Sequence, residues 1–288
     1  ISDEERQRYI AKSERLRFEP NEGNVFIVAD FTQQEQVIMA NQSQDEKLIE
    51  FFLGSGSNDM HCYVAKGIYN EIQDLSDEQI KELHPEKRQI AKSAGFCLNY
   101  NGSGETLAVN SGLPKEVGEE IYRKYFETFS GLKKEFDRRK NFWQAFGYIV
   151  TNNVTKRRIY FDAKNIKEGL KGVNWDNYRL GKAKYAQFEE YYESILDLLR
   201  KKSSLDNASV NYPTQSTGAD ITKAAGIRLF HYIIKNNLQN IVLIPLILHD
   251  EIVTECPKVI VEDTRQAVYD SMIKAGKKFC TIVPLGAT

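Results

Sequence analysis

The chain carries no surplus of charge. Its 39 Lys and Arg are matched by 40 Asp and Glu over 288 residues, a formal net charge of −1. That balance excludes a polycationic binder of nucleic acid and leaves any contact with phosphate to local clusters such as Lys87-Arg88 or Lys156-Arg157-Arg158. Cysteine is scarce: Cys62, Cys97, Cys256 and Cys280 stand far apart, without the C-x-x-C or Cys/His spacing of a zinc site, and read as reduced thiols of a cytosolic protein. No run approaches the roughly 18 apolar residues of a membrane span, and Ile1-Ser2-Asp3-Glu4-Glu5 is not a signal peptide. There is no internal repeat and no low-complexity tract. An initial Met is also lacking, and with the abrupt end after the strand-like Phe279-Cys280-Thr281-Ile282-Val283 the chain reads as an excised fragment. What it does have is 41% hydrophobic residues, ample for a sizeable core, and a length that suggests about two domains.

Residues 1–19 are charged, with little apolar periodicity, and read as a lead-in. A buried-type strand, Val25-Phe26-Ile27-Val28-Ala29-Asp30-Phe31, ends on an acid. A helix is expected from Phe31 to Phe52, broken by Gly54-Ser55-Gly56-Ser57-Asn58. From Asp59 to about Asp206 the composition is almost wholly helical, with a helix over Pro114 to Lys140, another over Tyr185 to Lys202, and a short hairpin from Gly147 to Phe161. Helices at about Thr217–Asn236 and Val261–Ala275 flank the apolar run Ile241–Leu248 and the strand Ile252–Cys256, and Phe279–Val283 reads as a closing strand. Strands and helices mix at both ends and helices fill the middle. The class implied is α+β, an antiparallel sheet with helices interrupted by a mainly helical insertion.

The phrase Leu248-His249-Asp250-Glu251-Ile252-Val253 sets adjacent acids at the turn of a hairpin, where carboxylates are presented rather than buried. Taken singly, this turn and Asp30 at its strand end read as a turn former or a cap. Together, two strands ending in acids can hold divalent metal. Between them lies a third element in which Arg88, Lys92, Phe96 and Tyr100 fall at i, i+4, i+8 and i+12, one slowly drifting stripe on a helix. Two cations followed by two rings suit a ligand with phosphates at one end and a flat base at the other.

These residues give the chain its likeness. It resembles the polymerase domain of family A DNA polymerases, the bacterial DNA polymerase I type. Asp30-Phe31-Thr32-Gln33-Gln34-Glu35 is similar to that family's first palm motif, Asp-Tyr-Ser-Gln-Ile-Glu, and Asp59-Met60-His61 to the Asp-Ile-His that follows it. The Arg88–Tyr100 helix resembles the nucleotide-binding helix of the fingers. Asn211-Tyr212-Pro213-Thr214-Gln215-Ser216-Thr217-Gly218-Ala219-Asp220 matches Asn-x-Pro-x-Gln-Gly-Thr-Ala-Ala-Asp, and His249-Asp250-Glu251 the second palm motif. The motifs cover about residues 20–285. Thr32, Gln34, Gln36 and Val37 depart from the first motif, Gly95, Cys97 and Asn101 from the fingers helix, and Ser216 from the motif after it. No metal ligand or phosphate cation is lost. The stretch Phe161–Asn207 looks longer than its bacterial counterpart, which favours a phage or divergent lineage.

The resemblance implies a right-hand polymerase palm over 20–58 and 207–288, interrupted by fingers over 59–206, with the thumb and exonuclease-like domain absent. It implies template-directed DNA synthesis in the bacterial cytoplasm, including that of a phage-infected host. Two Mg²⁺, or Mn²⁺ in their place, would be held by Asp30, Asp250 and the Phe31 carbonyl, with Glu251 beside them. Arg88, Lys92 and His61 would meet the triphosphate, Phe96 would stack on the incoming sugar and base, and Tyr100 would lie near the template base. Glu35 would exclude a ribose 2′-hydroxyl. Asn211 and Gln215 would contact duplex bases in the minor groove. His249 reads either as a contact near the primer end or as a turn histidine, and Lys156-Arg157-Arg158 either as a phosphate contact or as a charged hairpin tip. The partners implied are primer–template DNA, deoxynucleoside triphosphates and a thumb or exonuclease-like region from a longer protein or another chain. Two alternatives stay open: a fragment that binds nucleotide or DNA without activity of its own, and a ribonucleotide-using relative.

Overall fold

The computed structural model of the chain describes residues 18–54 and 59–288, so most of the expected lead-in, and the expected break at 55–58, lie outside the described residues. Strand β1 (Asn24–Asp30) alternates buried Ile27 and Ala29 with exposed Val28 and Asp30, the period of a sheet with one covered face. The single helix expected over Phe31–Phe52 is two, α1 (Gln34–Ser43) and α2 (Glu46–Gly54). The chain turns at Gln44, whose φ is 52°. Buried Asp45 then caps α2 by accepting from the amides of Lys47 (3.0 Å) and Leu48 (3.1 Å). Helices α3 (Met60–Ile68), α4 (Asp77–Leu83), α5 (Pro85–Asn99) and α6 (Gly104–Ser111) follow. Ser76 and Gln79 make a capping box on α4, and Pro85 occupies the first turn of α5.

The helix expected over Pro114–Lys140 also divides, into α7 (Lys115–Thr128) and α8 (Ser130–Phe146). The other oxygen of Asp45 accepts from the amides of Gly131 (2.7 Å) and Leu132 (3.0 Å), so one carboxylate caps the N-termini of both α2 and α8. A Cβ on Gly131 would lie 2.8 Å from the Asp45 Cα, which requires glycine at that close approach. Strands β2 (Tyr148–Val150) and β3 (Arg158–Tyr160) form the expected hairpin, and α9 (Ala163–Lys171) and α10 (Trp175–Lys182) come next.

Two separate helices were expected on either side of residues 203–216. Instead α11 (Glu189–Lys235) runs through all 47 residues, with Pro213 inside it and residue 207 in its interior. Proline removes one i−4 hydrogen bond and crowds the carbonyl it would have bonded. The helix nevertheless continues, and side chains bond carbonyls on this stretch: Thr217 Oγ1 donates to the Pro213 carbonyl at 2.6 Å and Arg139 Nη1 to the Val210 carbonyl at 2.6 Å. The chain ends with β4 (Leu243–Leu248), β5 (Glu251–Pro257) and α12 (Val261–Phe279).

The main sheet is antiparallel in the order β1-β5-β4. Pro245 lies in β4, an edge strand, where the register shifts between Leu243 and Leu246, the place a residue without an N–H is tolerated. No closing strand forms over Phe279–Val283. The helix α12 reaches Phe279, and it is Ala287 that bridges Phe31, with paired 2.9 Å hydrogen bonds between Asp30 and Thr288.

The chain divides into two compact units. Unit 1 takes Ile1–Gln34, Gly218–Lys278 and Leu285–Thr288. It holds the antiparallel sheet, and its buried residues include Ile27, Ile221, Leu229, Ile252 and Met272. Unit 2 takes Glu35–Thr217 and Phe279–Pro284. It is mainly helical, around buried Ile68, Leu98, Phe129, Phe136 and Trp143. Among the described residues no helix is long and apolar enough to cross a membrane.

Candidate active site

In unit 1, β4 and β5 are joined by a two-residue loop, His249-Asp250, because Leu248 pairs with Glu251. His249 is exposed and takes the left-handed φ of 53° that the tight turn demands. On its other side β5 pairs with β1, and Asp30 stands opposite Glu251. The Phe31 amide donates to the Asp250 carbonyl at 3.2 Å, and the Phe31 side chain is only 2% exposed. The sheet register thus gathers Asp30, Asp250 and Glu251 at one end. The Asp30 carboxyl is pushed above its ordinary value, first by partial burial, then by the charge of Asp250 and a hydrogen bond with it, then by the charge of Glu251, against the Phe31 N–H. A carboxyl whose pKa is raised by neighbouring acids is the setting in which a divalent cation relieves repulsion, and hard carboxylate oxygens are the donors Mg²⁺ prefers. Among the described residues no group of three or more His, Cys, Asp or Glu could hold a metal by side chains alone. A pair of carboxylates completed by substrate oxygens is a common way of binding Mg²⁺.

Unit 2 holds the cationic stripe. Arg88, Lys92 and Phe96 lie on α5, and Tyr100 is the residue just past its end, with φ −97° and ψ 22°. Arg88 was expected to face phosphate. Its fork is turned instead onto Asp59, with Nε at 3.1 Å and Nη2 at 2.8 Å from Oδ2, and Lys81 is 3.3 Å from the same oxygen. Asp59 also caps α3 through the amides of His61 (2.9 Å) and Cys62 (3.1 Å). Burial would raise its carboxyl, but the hydrogen bond from Arg88, the Cys62 amide, the charge of Arg88 and Lys81 hold it at about 2. In the sequence Asp59 stands only as part of the Asp59-Met60-His61 motif, with no role assigned to it, although an acid immediately before a helix-forming run signals a cap.

Lys92 makes no ion pair among the described residues. The His61 imidazole is kept below its ordinary value chiefly by burial, with Asp59 opposing and the charges of Arg88 and Lys92 reinforcing. Its ring centroid is 6.2 Å from that of Phe96, and Phe96 is 56% exposed, a ring open for stacking. The Tyr100 hydroxyl donates to Glu35 Oε2 at 2.5 Å. Its pKa is pushed up to about 12 by burial and then by Glu35, against a hydrogen bond with Gln215. Glu35, Met39, His61, Phe96 and Tyr100 line one concavity. Gln215 lies one turn beyond Asn211 on α11, and Asn211 Oδ1 is buried without a hydrogen-bond partner among the described residues. On the β2–β3 hairpin, Arg158 covers the Tyr148 ring at 4.8 Å and Arg157 Nη2 donates to the Ser216 carbonyl at 3.3 Å.

The structure therefore gathers Asp30, Phe31, His249, Asp250 and Glu251 in unit 1, and Glu35, His61, Arg88, Lys92, Phe96, Tyr100 and Gln215 in unit 2, with Asn211 on the same helix as Gln215. Comparison with known proteins gives the family and the fold. DNA polymerase family A matches residues 2–288. The chain is 29% identical to DNA polymerase I of Borreliella burgdorferi over 243 residues, 84% of this chain and 22% of that protein. It is 28% identical to DNA polymerase I of Aquifex aeolicus over 274 residues, 93% of this chain and 38% of that one. Among solved structures it is similar to the POL domain of Pol1 from M. smegmatis in complex with DNA primer-template and dNTP. There the TM-score is 0.70 and the identity 26%, over 94% of this chain and 40% of that one. The chain thus spans well under half the length of these relatives.

Proposed function

Because the chain belongs to DNA polymerase family A, we propose that it carries the nucleotidyl-transfer step of template-directed DNA synthesis, joining a deoxynucleoside triphosphate to a primer 3′-hydroxyl with release of pyrophosphate. The observation that carries this reading is the strand register that gathers Asp30, Asp250 and Glu251 at one end of the sheet. Asp30 and Asp250, with the Phe31 carbonyl, are the ligands for two Mg²⁺ or Mn²⁺ ions. When bound, such ions lower the pKa of the attacking hydroxyl and offset the charge of the triphosphate. Glu251 adds negative potential beside this pair, and His249 at the exposed turn is placed for the primer end.

The binding of the incoming nucleotide falls to unit 2. Lys92, which makes no ion pair among the described residues, and Arg88, which must exchange Asp59 for a phosphate oxygen, neutralise the β- and γ-phosphates, helped by His61. The open ring of Phe96 stacks on sugar and base, Tyr100 lies near the template base, and Glu35 fills the space that a 2′-hydroxyl would need. Asn211 and Gln215 read the minor-groove acceptors common to all base pairs. Primer–template DNA is the partner, with a thumb or exonuclease-like region of a longer protein or another chain completing its grip.

The small share of its relatives' length that the chain spans favours one rival, a nucleotide- or DNA-binding segment that does not extend primers by itself. Primer extension run beside a nucleotide-binding titration separates the two. In the form of the protein that extends primers, Asp250→Ala leaves less than about 1% of turnover, because removing one ligand exposes the other carboxylate and spoils the geometry. DNA affinity in the same variant stays within about twofold, since a phosphate-free acid contributes nothing favourable to it. Turnover that survived the substitution would sink the assignment of Asp250 as a ligand.

A further inference from the structure

Arg139 is a cation in the wrong solvent. It sits on α8, 4% exposed, and burial pushes even its guanidinium below the ordinary arginine value. An isolated buried charge is strongly unfavourable, and an apolar residue of similar volume would serve a core at least as well. What Arg139 does with its fork is therefore informative. Nε pairs with Glu135 Oε1 at 2.8 Å, Nη1 donates to the Val210 carbonyl at 2.6 Å, and Nη2 donates to Gln42 Oε1 at 2.7 Å.

Gln42 extends the same network. Its Nε2 reaches Thr217 Oγ1 at 3.0 Å, the Thr151 carbonyl at 3.3 Å and the Pro213 carbonyl at 3.4 Å, while Thr214 Oγ1 lies 3.4 Å from its Oε1. Thr217 Oγ1 in turn lies within hydrogen-bonding distance of the carbonyls of Pro213 (2.6 Å) and Thr151 (3.2 Å). Apart from the Nε pair with Glu135, every arm ends on, or one bond away from, residues 210–217 of α11, the turns on either side of Pro213. A proline there deprives the helix of one backbone bond and leaves its local course less firmly fixed by the backbone alone. A planar fork with three fixed directions can determine it; a single-point ammonium cannot.

We propose that Arg139, acting with Gln42, is a positioning residue that fixes the course of α11 around Pro213 and so aims Asn211 and Gln215 at the primer–template. Those two side chains lie within the segment the network grips, and Asn211 Oδ1 is buried with no hydrogen-bond partner among the described residues. Gln42 stands on α1, the helix that also carries Glu35, which ties the aim of Gln215 to the Glu35–Tyr100 pair it meets. The proposal rests on the functional reading above, in which Asn211 and Gln215 contact DNA.

The test uses Arg139→Lys, which keeps the charge and the Glu135 pair, and Gln42→Leu, which keeps the volume and removes the link, so that a failure of either to fold leaves the other. Affinity for primer–template is measured for each, alone and combined with Asn211→Ala and Gln215→Ala, alongside amide hydrogen exchange of residues 210–217. The expected result is a loss of affinity of about tenfold, the scale of one misplaced hydrogen-bonding group, with nucleotide affinity unchanged. Protection over 210–217 falls, and the loss disappears in the Asn211→Ala, Gln215→Ala background because the network acts only through those residues. Unchanged protection, or losses that simply add, would overturn the positioning role while leaving the functional reading in place. If Asn211→Ala and Gln215→Ala themselves leave primer–template affinity untouched, the DNA-contact reading fails, and the proposal with it.

Discussion

The hydrogen bond from Tyr100 to Glu35 has a fixed direction. With its pKa pushed up to about 12, the Tyr100 hydroxyl keeps its proton throughout the neutral range, so it always donates and the carboxylate always accepts. Glu35 is thereby tied to Tyr100, and in the proposed role a tethered side chain discriminates by shape. Glu35→Ala is expected to raise the ratio of ribonucleotide to deoxynucleotide incorporation by one or more powers of ten, each about 1.4 kcal/mol. Tyr100→Phe, which keeps the ring but frees the carboxylate, should fall between. Single-turnover incorporation of matched ribo- and deoxynucleotides measures both ratios, and an unchanged ratio in Glu35→Ala would move the sugar gate to another residue. The acids, the cations and the rings of the site were all legible in sequence, because spacing on a strand or helix exposes them. The partner of Arg88 was not, since Asp59 lies 29 positions away and only tertiary packing brings the two together.

At the scale of elements, Asp59 fastens the start of α3 to α5. Its carboxyl is depressed from 3.8 to about 2, so the stability it contributes is fully present above about pH 4 and is lost as pH falls from there towards 2. A shift of that size corresponds to about 1–2 kcal/mol once partial solvent screening is allowed for. Urea unfolding of the wild type and of Asp59→Asn should therefore show a gap of that order at pH 6 that closes on approach to pH 2. A gap independent of pH would mean that capping, not the ion pair, carries the contribution. The helices themselves show where local pattern reading stops. The apolar periodicity of Phe31–Phe52 and of Pro114–Lys140 is genuine, but each stretch is cut by a carboxylate that caps a new helix. The reverse happens in α11, where Asn-Tyr-Pro-Thr reads as a breaker and the helix runs on through Pro213, with side chains bonding the Val210 and Pro213 carbonyls.

In the molecule as a whole, the antiparallel strands ending in acids could be read from alternation and turn chemistry, and the order of motifs carried the family. The assignment of α11 to both units could not, because nothing in composition marks residue 217 as a division. Nor could the pairing of Ala287 with Phe31, a contact set by where the chain returns rather than by what it is made of. Asp45 shows what such long-range closure means in time. Its bonds to Lys47 and Leu48 are local, whereas those to Gly131 and Leu132 close a separation of 86 and 87 positions. Loop-closure entropy must be met before that second pair can form, so the distant half of the cap belongs late on the folding path. Asp45→Asn should then speed unfolding while hardly slowing refolding, a φ-value near zero despite an equilibrium loss of about 1–2 kcal/mol. Stopped-flow chevrons would show it in the unfolding limb alone. A matching drop in the refolding rate would place the meeting of α2 and α8 inside the nucleus. With a low φ-value, the carboxylate that begins two helices acts as a latch: it governs how long the fold persists far more than how quickly it is reached.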